Sequence, residues 1–261
     1  MFIRVAVLSV AIAIISMPGW ATLDPGILPC PAQDSVVVGQ LDADVTGDGI
    51  NDRVILMGRK LDNAGPYIVE MSIIVTDLDG KNELCTRLPK ESDSGYDPQL
   101  KAMDFTGDGA PDVFISAPTG GSGGSINCIV YSFGGRQPKL LLDTNHTVKP
   151  AFTGHFLSDY KAQIDVDGKS SIIDLADRTK YYDEMGYYKN GKLLKSVEVW
   201  GGGYGLIAPV DADHNGVYEL EAVQEVRGAA NADRIAEIIS HLKWEKGGWR
   251  VMNVRIKHPA K

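Results

Sequence analysis

Cysteine, cationic charge and long apolar runs are all scarce in this chain of 261 residues. Its three cysteines, Cys30, Cys85 and Cys128, include no C-x-x-C pair, so neither a zinc ribbon nor a thioredoxin-type centre has ligands at a usable spacing. Lys and Arg number 26 against 34 Asp and Glu, a formal net charge of −8. That balance argues against nucleic-acid binding, which depends on Lys and Arg neutralising phosphates, and suits a protein that binds cations. The one extended apolar run covers residues 5–17, about 13 residues where roughly 20 are needed to cross a bilayer. No later segment is apolar enough to span a membrane.

With Arg4 close to its start and Pro18-Gly-Trp-Ala21 behind it, that run has the charged, apolar and small-residue regions of a secretory signal. The expected organisation is a signal peptide over residues 1–21 and a single β-rich domain over 22–261. The expected location is secreted, periplasmic or cell-surface. A hydrophobic content of 44% is ample for a core. After export one disulfide is expected and one thiol is left over. Cys85 with Cys128 is the favoured pair, because both lie in strand-like segments.

Short β-branched and aromatic segments alternate with turns of Gly, Asp, Asn and Pro, which predicts an almost entirely β chain. The clearest strands are expected at 35–38, 53–57, 68–76, 112–115, 126–133, 139–142, 160–166, 171–175, 194–199, 220–226, 236–244 and 249–256. Asp79-Gly80, Asp167-Gly168, Asn190-Gly191 and Gly247-Gly248 read as tight hairpin links. The stretch 231–243 also fits a helical face, but alternation of Ala236, Ile238, Ser240, Leu242 and Trp244 favours a strand there.

One acidic loop occurs three times. Asp44-Val-Thr-Gly-Asp-Gly-Ile-Asn-Asp52 returns as Asp104-Phe-Thr-Gly-Asp-Gly-Ala-Pro-Asp112 and, more loosely, as Asp211-Ala-Asp-His-Asn-Gly-Val-Tyr-Glu219. Oxygen-bearing side chains stand at positions 1, 3, 5 and 9 around a glycine at position 6, a layout suited to a loop folded on a hard cation. The expected calcium ligands are Asp44, Thr46, Asp48 and Asp52 with the Ile50 carbonyl in loop 1, and Asp104, Thr106, Asp108 and Asp112 with the Ala110 carbonyl in loop 2. Loop 3 offers Asp211, Asp213, Asn215 and Glu219 with the Val217 carbonyl. An EF-hand would place an acid at position 12, which is Ile55, Ile115 or Ala222 here. Asp165-Val-Asp167-Gly168 lacks the second half of the pattern and reads as a plain hairpin turn.

These loops resemble the calcium loops of FG-GAP and VCBS-type repeats, the units of integrin-α-like β-propellers. In those families the loop joins two strands of a blade, and the acids at positions 1, 3, 5 and 9 hold calcium. The wider chain, through Gly95-Tyr-Asp-Pro98, Gly120-Gly-Ser-Gly-Gly124 and Gly205-Leu-Ile-Ala-Pro-Val-Asp211, looks like an uncharacterised group of exported bacterial VCBS-repeat proteins. Thr46 and Thr106 depart from the Asn or Asp usual at position 3. Too few clear repeats are present for seven blades, so the resemblance implies an all-β fold of antiparallel repeats in a small or partial propeller-like assembly.

Catalytic signatures are weak. Gly120-Gly-Ser122-Gly-Gly124 spells G-x-S-x-G, but a strand rather than a helix should follow it. Gly186-Tyr-Tyr-Lys-Asn-Gly-Lys192 is followed by Leu193 where a phosphate loop needs Ser or Thr. His146, His155, His241 and His258 show no ligand spacing, although His155 with Asp159 forms a local acid–base pairing in sequence. Tyr181, Tyr182, Tyr187, Tyr188 and Trp200 read as strand-face packing before a sugar or peptide platform. The sequence therefore points to a non-catalytic calcium-binding module for adhesion or envelope association, with a cell-surface protein or polysaccharide as partner. The alternative is an extracytoplasmic hydrolase or accessory domain acting on envelope or extracellular polymers.

Overall fold

A computed structural model describes residues 30–62, 65–80, 82–147 and 149–258. The expected signal peptide at 1–21 lies outside these residues. The chain is all-β and antiparallel, with no closed barrel.

The first sheet is a meander of β1 (Val36–Ala43), β2 (Asp52–Lys60), β3 (Tyr67–Asp77) and β4 (Glu83–Arg87), with the short β5 (Gly95–Tyr96) also pairing with β3. The second is a meander of β6 (Gln99–Met103), β7 (Asp112–Pro118), β8 (Ile126–Ser132) and β9 (Lys139–Asp143). The third contains β10 (Phe152–Leu157), β11 (Lys161–Val166) and β12 (Lys169–Asp174). A short helix α1 (Thr179–Glu184) and a small hairpin of β13 (Tyr188–Lys189) and β14 (Lys192–Leu193) lead into the last sheet. That sheet runs β15 (Trp200–Val210), β16 (Glu219–Arg227), β17 (Arg234–Glu245) and β18 (Gly248–Lys257).

Side-chain alternation explains how the sheets stack. Along β7, Val113, Ile115 and Ala117 join Val54, Leu56 and Ile73 of the first sheet in one cluster, while Phe114 faces the other way. Phe114 meets Cys128, Val130, Leu220, Ala222 and Leu242 in a second cluster shared with the last sheet. Covered on both faces, β7 is buried without interruption from Asp112 to Ala117 instead of alternating, and Val113-Phe114-Ile115 is apolar throughout. The last sheet spreads a single face over two neighbours. Leu220, Ala222 and Leu242 pack on the second sheet, whereas Val226, Ala236 and Ile238 pack on Ile164, Val166 and Ile173 of the third. Between those halves the same face carries the buried polar residues Gln224 and Ser240.

Turn chemistry meets several expectations. Asp167-Gly168 and Asn190-Gly191 have positive φ at both residues, as a type I′ hairpin demands. The last hairpin turns one residue earlier than expected, at Lys246-Gly247, with φ of 53° and 80°. Residues 234–245 form a strand, not a helix. The segment 194–199 is not a regular strand; it meets β10 in a single bridge, Glu198 opposite His155, closed by backbone bonds of Val197 to Phe156 and Val199 to Gly154 of 2.9 Å each.

The disulfide pairing differs from the expectation. Cys30 is bonded to Cys85, and Cys128 is a free, buried thiol. Membership of a strand does not say which face a side chain takes: Cys128 is directed into the cluster beneath the last sheet, while Cys85 sits on β4 at the margin of the first.

Candidate metal-binding loops

All three acidic loops occupy equivalent connections. Loop 1 joins β1 to β2, loop 2 joins β6 to β7, and loop 3 joins β15 to β16, in each case the first connection of a four-stranded meander. The third sheet lacks such a loop. Its β10–β11 link is a tight turn with Asp159 and Tyr160 at φ 60° and 53°.

The loops also share a backbone. Position 6 is left-handed in each, with Gly49, Gly109 and Gly216 at φ 87°, 87° and 84°. Position 4 is left-handed too: Gly47 at 74°, Gly107 at 76° and His214 at 57°. Glycine adopts that conformation freely and histidine does so against steric resistance, so loop 3 repeats the path at some cost. The position-1 aspartate folds the loop by accepting backbone N–H groups. Its Oδ2 accepts from the position-6 N–H at 2.7 Å in loop 1, 2.9 Å in loop 2 and 3.1 Å in loop 3. The position-5 Oδ1 accepts from the position-7 N–H at 3.0, 3.0 and 2.7 Å respectively.

Position 9 is buried in every copy, with Asp52 2%, Asp112 1% and Glu219 8% exposed. Asp52 accepts from the Thr46 N–H (3.1 Å), and Asp112 from the Phe105 N–H (3.0 Å). Glu219 pairs with Lys243 (3.2 Å), and its Oε2 is buried without a hydrogen-bond partner. Burial pushes the Asp112 carboxyl up to about 7; the Phe105 N–H opposes the shift, and the neighbouring charges of Asp108 and Asp104 add to it.

The loops touch across sheets. The Gly135 N–H in the β8–β9 turn donates to the Thr46 carbonyl (3.2 Å), and the Tyr218 N–H at position 8 of loop 3 donates to the Asp104 carbonyl (2.8 Å). Next to Gly135, Arg136 reaches Asp48 at 2.8 Å and Asp77 at 2.7 Å. A cavity of about 220 Å³ beside loop 1 is lined by Asp48, Asp52, Asp77, Asp79 and Arg136. Sequence reasoning missed Asp77, Asp79, Arg136 and Lys243. Asp77 ends β3, Asp79 follows it, and both carry a local acidic signal, but nothing near Arg136 or Lys243 marks them.

By chemistry the donors suit a hard cation: carboxylates, the Thr46 and Thr106 hydroxyls, and the Asn215 amide oxygen. The Thr46 hydroxyl, like Glu219 Oε2, is buried without a hydrogen-bond partner. Yet among the described residues no three His, Cys, Asp or Glu side chains converge into a metal-holding group. The structure therefore places each candidate ligand on a common loop geometry without drawing the acids together.

Other sequence features are absorbed by the fold. Gly120-Gly-Ser122-Gly-Gly124 links β7 to β8, and the Gly123 carbonyl accepts from Arg227. The Asn190-Gly191 motif is the β13–β14 turn. Tyr182 and Tyr188 are buried, with the Tyr182 hydroxyl 2.9 Å from Asp233, and the Trp200 ring lies 5.2 Å from the Arg227 guanidinium. His155 pairs with Glu198 in an isolated bridge and stands across from Gln163, two positions from Asp165.

Residues 150–257 match the family described as the YybI C-terminal domain, so that its boundary falls between β9 and β10. Over 225 residues the chain is 30% identical to the uncharacterised protein YybI of Bacillus subtilis (strain 168), covering 84% of each chain. No solved structure matches it.

Proposed function

The chain belongs to the YybI family, and from that footing we propose that it is an exported β-repeat protein whose acidic loops bind calcium and which serves as a non-catalytic binding module. The observation that carries this reading is the repetition of one left-handed pattern, at positions 4 and 6, on the same connection of three four-stranded meanders. The same placement is in keeping with a partial propeller-like assembly, which is part of this proposal. The buried Thr46 hydroxyl and Glu219 Oε2, which no hydrogen bond uses among the described residues, support the reading as oxygens that a hard cation could take. The Cys30–Cys85 bond is in keeping with an oxidising compartment, where disulfides persist. The partner expected at the acidic rim is a surface protein or polysaccharide.

Calcium that binds the folded state alone stabilises it by about 2.7 kcal/mol at a hundredfold excess over Kd. For a domain of this size that raises the melting midpoint by roughly 5–10 °C. Thermal unfolding of the mature protein in EGTA and in calcium measures the difference. Identical melts would remove calcium from the account.

A further inference from the structure

We propose that Arg136 is the resident cation of loop 1 and that it determines which loop is left open for calcium; this rests on the calcium reading above. The three loops are closely alike in backbone yet differ in what meets the position-5 side chain. In loops 1 and 2 the position-5 aspartate spends Oδ1 on the N–H of position 7, which leaves Oδ2 to face outward. In loop 1 that oxygen, Asp48 Oδ2, receives Arg136 Nη2 at 2.8 Å, while Nη1 of the same guanidinium holds Asp77 Oδ1 at 2.7 Å. Among the described residues the corresponding oxygen of Asp108 in loop 2 has no hydrogen-bond or ion-pair partner, and no Lys or Arg pairs with Asp104, Asp108 or Asp112. In loop 3 position 5 is Asn215, whose Nδ2 donates to Asp213, so an N–H stands where an oxygen ligand is wanted.

The arginine is built into position. Its turn is fixed to loop 1 by the Gly135 N–H to Thr46 carbonyl bond, and Arg136 itself adopts φ 61°, a left-handed conformation that costs a non-glycine residue energy. A guanidinium stays charged at any ordinary pH and its fork suits two carboxylates at once. Calcium entering loop 1 would meet that charge head on and would have to separate Asp48 from it. Loop 2, with the same Thr-Gly-Asp-Gly centre and no internal cation, carries no such obstacle.

Isothermal titration of the chelator-stripped, full mature chain with calcium chloride tests this. The expected result is one more bound calcium in R136Q than in the wild type, loss of that extra site in R136Q/D48N, and wild-type stoichiometry in R136K. D108N should bind one calcium fewer than the wild type. An R136Q protein that folds only in calcium also supports the assignment. Equal stoichiometry in R136Q and wild type, with calcium bound by both, would overturn the role of Arg136 and leave the calcium reading standing. If the wild type takes no calcium and R136Q takes one, loop 2 loses its ion while Arg136 keeps its assignment. If neither takes any, both ideas fall.

Discussion

Loops 1 and 2 carry the same Thr-Gly-Asp-Gly centre and the same left-handed glycines, yet the first lies under a guanidinium and the second ends on a buried acid, Asp112, whose carboxyl burial pushes up to about 7. Their host sheets differ in the same direction. The first sheet is tied from outside, by the Cys30–Cys85 bond and by Arg136 reaching across. The second is held from within, covered on both faces and enclosing the Cys128 thiol. A repeated motif thus fixes a backbone, while the neighbouring sheet fixes its electrostatics.

The largest effect that bears on this contrast should come from removing the covalent tie. The Cys30–Cys85 bond spans a sequence separation of 55, and closing a loop of that size stabilises the fold by about 4 kcal/mol in the chain-entropy estimate. C30S should lower the unfolding free energy by an amount of that order in non-reducing urea titrations, and wild type treated with dithiothreitol should match it. Equal stability of C30S and wild type would show that the first sheet needs no external tie.

A smaller effect is expected where the two sheets touch. A Cβ added at Gly95, in β5, would lie 2.6 Å from the Ala117 Cβ in β7 and 2.9 Å from the Pro118 carbonyl. G95A should destabilise by about 1–3 kcal/mol, the usual range for overpacking. If the sheets act as one unit, the urea transition shifts without splitting; two separate transitions would show that they unfold apart.

The last effect concerns Asp112 and depends on pH. In calcium-free protein the folded state holds this proton up to about pH 7, whereas an unfolded aspartate releases it near pH 4. The folded state therefore binds more protons across that window, and stability falls as pH rises through it. Urea titrations at pH values from about 4 to 8 should show the decline, and D112N should flatten it. A profile that D112N leaves unaltered would mean that loop 2 is as well neutralised as loop 1.

Much of the architecture was legible because local chemistry and tertiary context agree. Asn190-Gly191 and Asp167-Gly168 announce their hairpins, and the alternation from Ala236 to Trp244 announces β17. Other elements were hidden by their own composition. In β15, Gly201 to Gly203 and Gly205 read as loop, since glycine disfavours strands. The fold needs it there: a Cβ at Gly202 would stand 2.7 Å from Arg227 Nη2, and one at Gly205 would stand 3.0 Å from Glu225 Oε1. The Asp159-Tyr160 turn carries no glycine to mark it. The loops themselves were found by spacing, but the residues that set their charge were not. Arg136 is 88 positions from Asp48 and arrives from another sheet, and short-range patterns hold no trace of such a contact.

The last sheet spreads one face across both the second and the third. In a chain made from its amino end, Phe105, Phe114, Val130 and Leu142 on one side and Ile164, Val166 and Ile173 on the other exist before β16 and β17 that cover them. Every nascent molecule therefore carries two apolar surfaces at once until roughly the last sixth of the chain emerges, a state in which such surfaces invite aggregation. The carboxy-terminal strands act as the closing step of folding, and the interval before they arrive is when the protein most depends on whatever shields it.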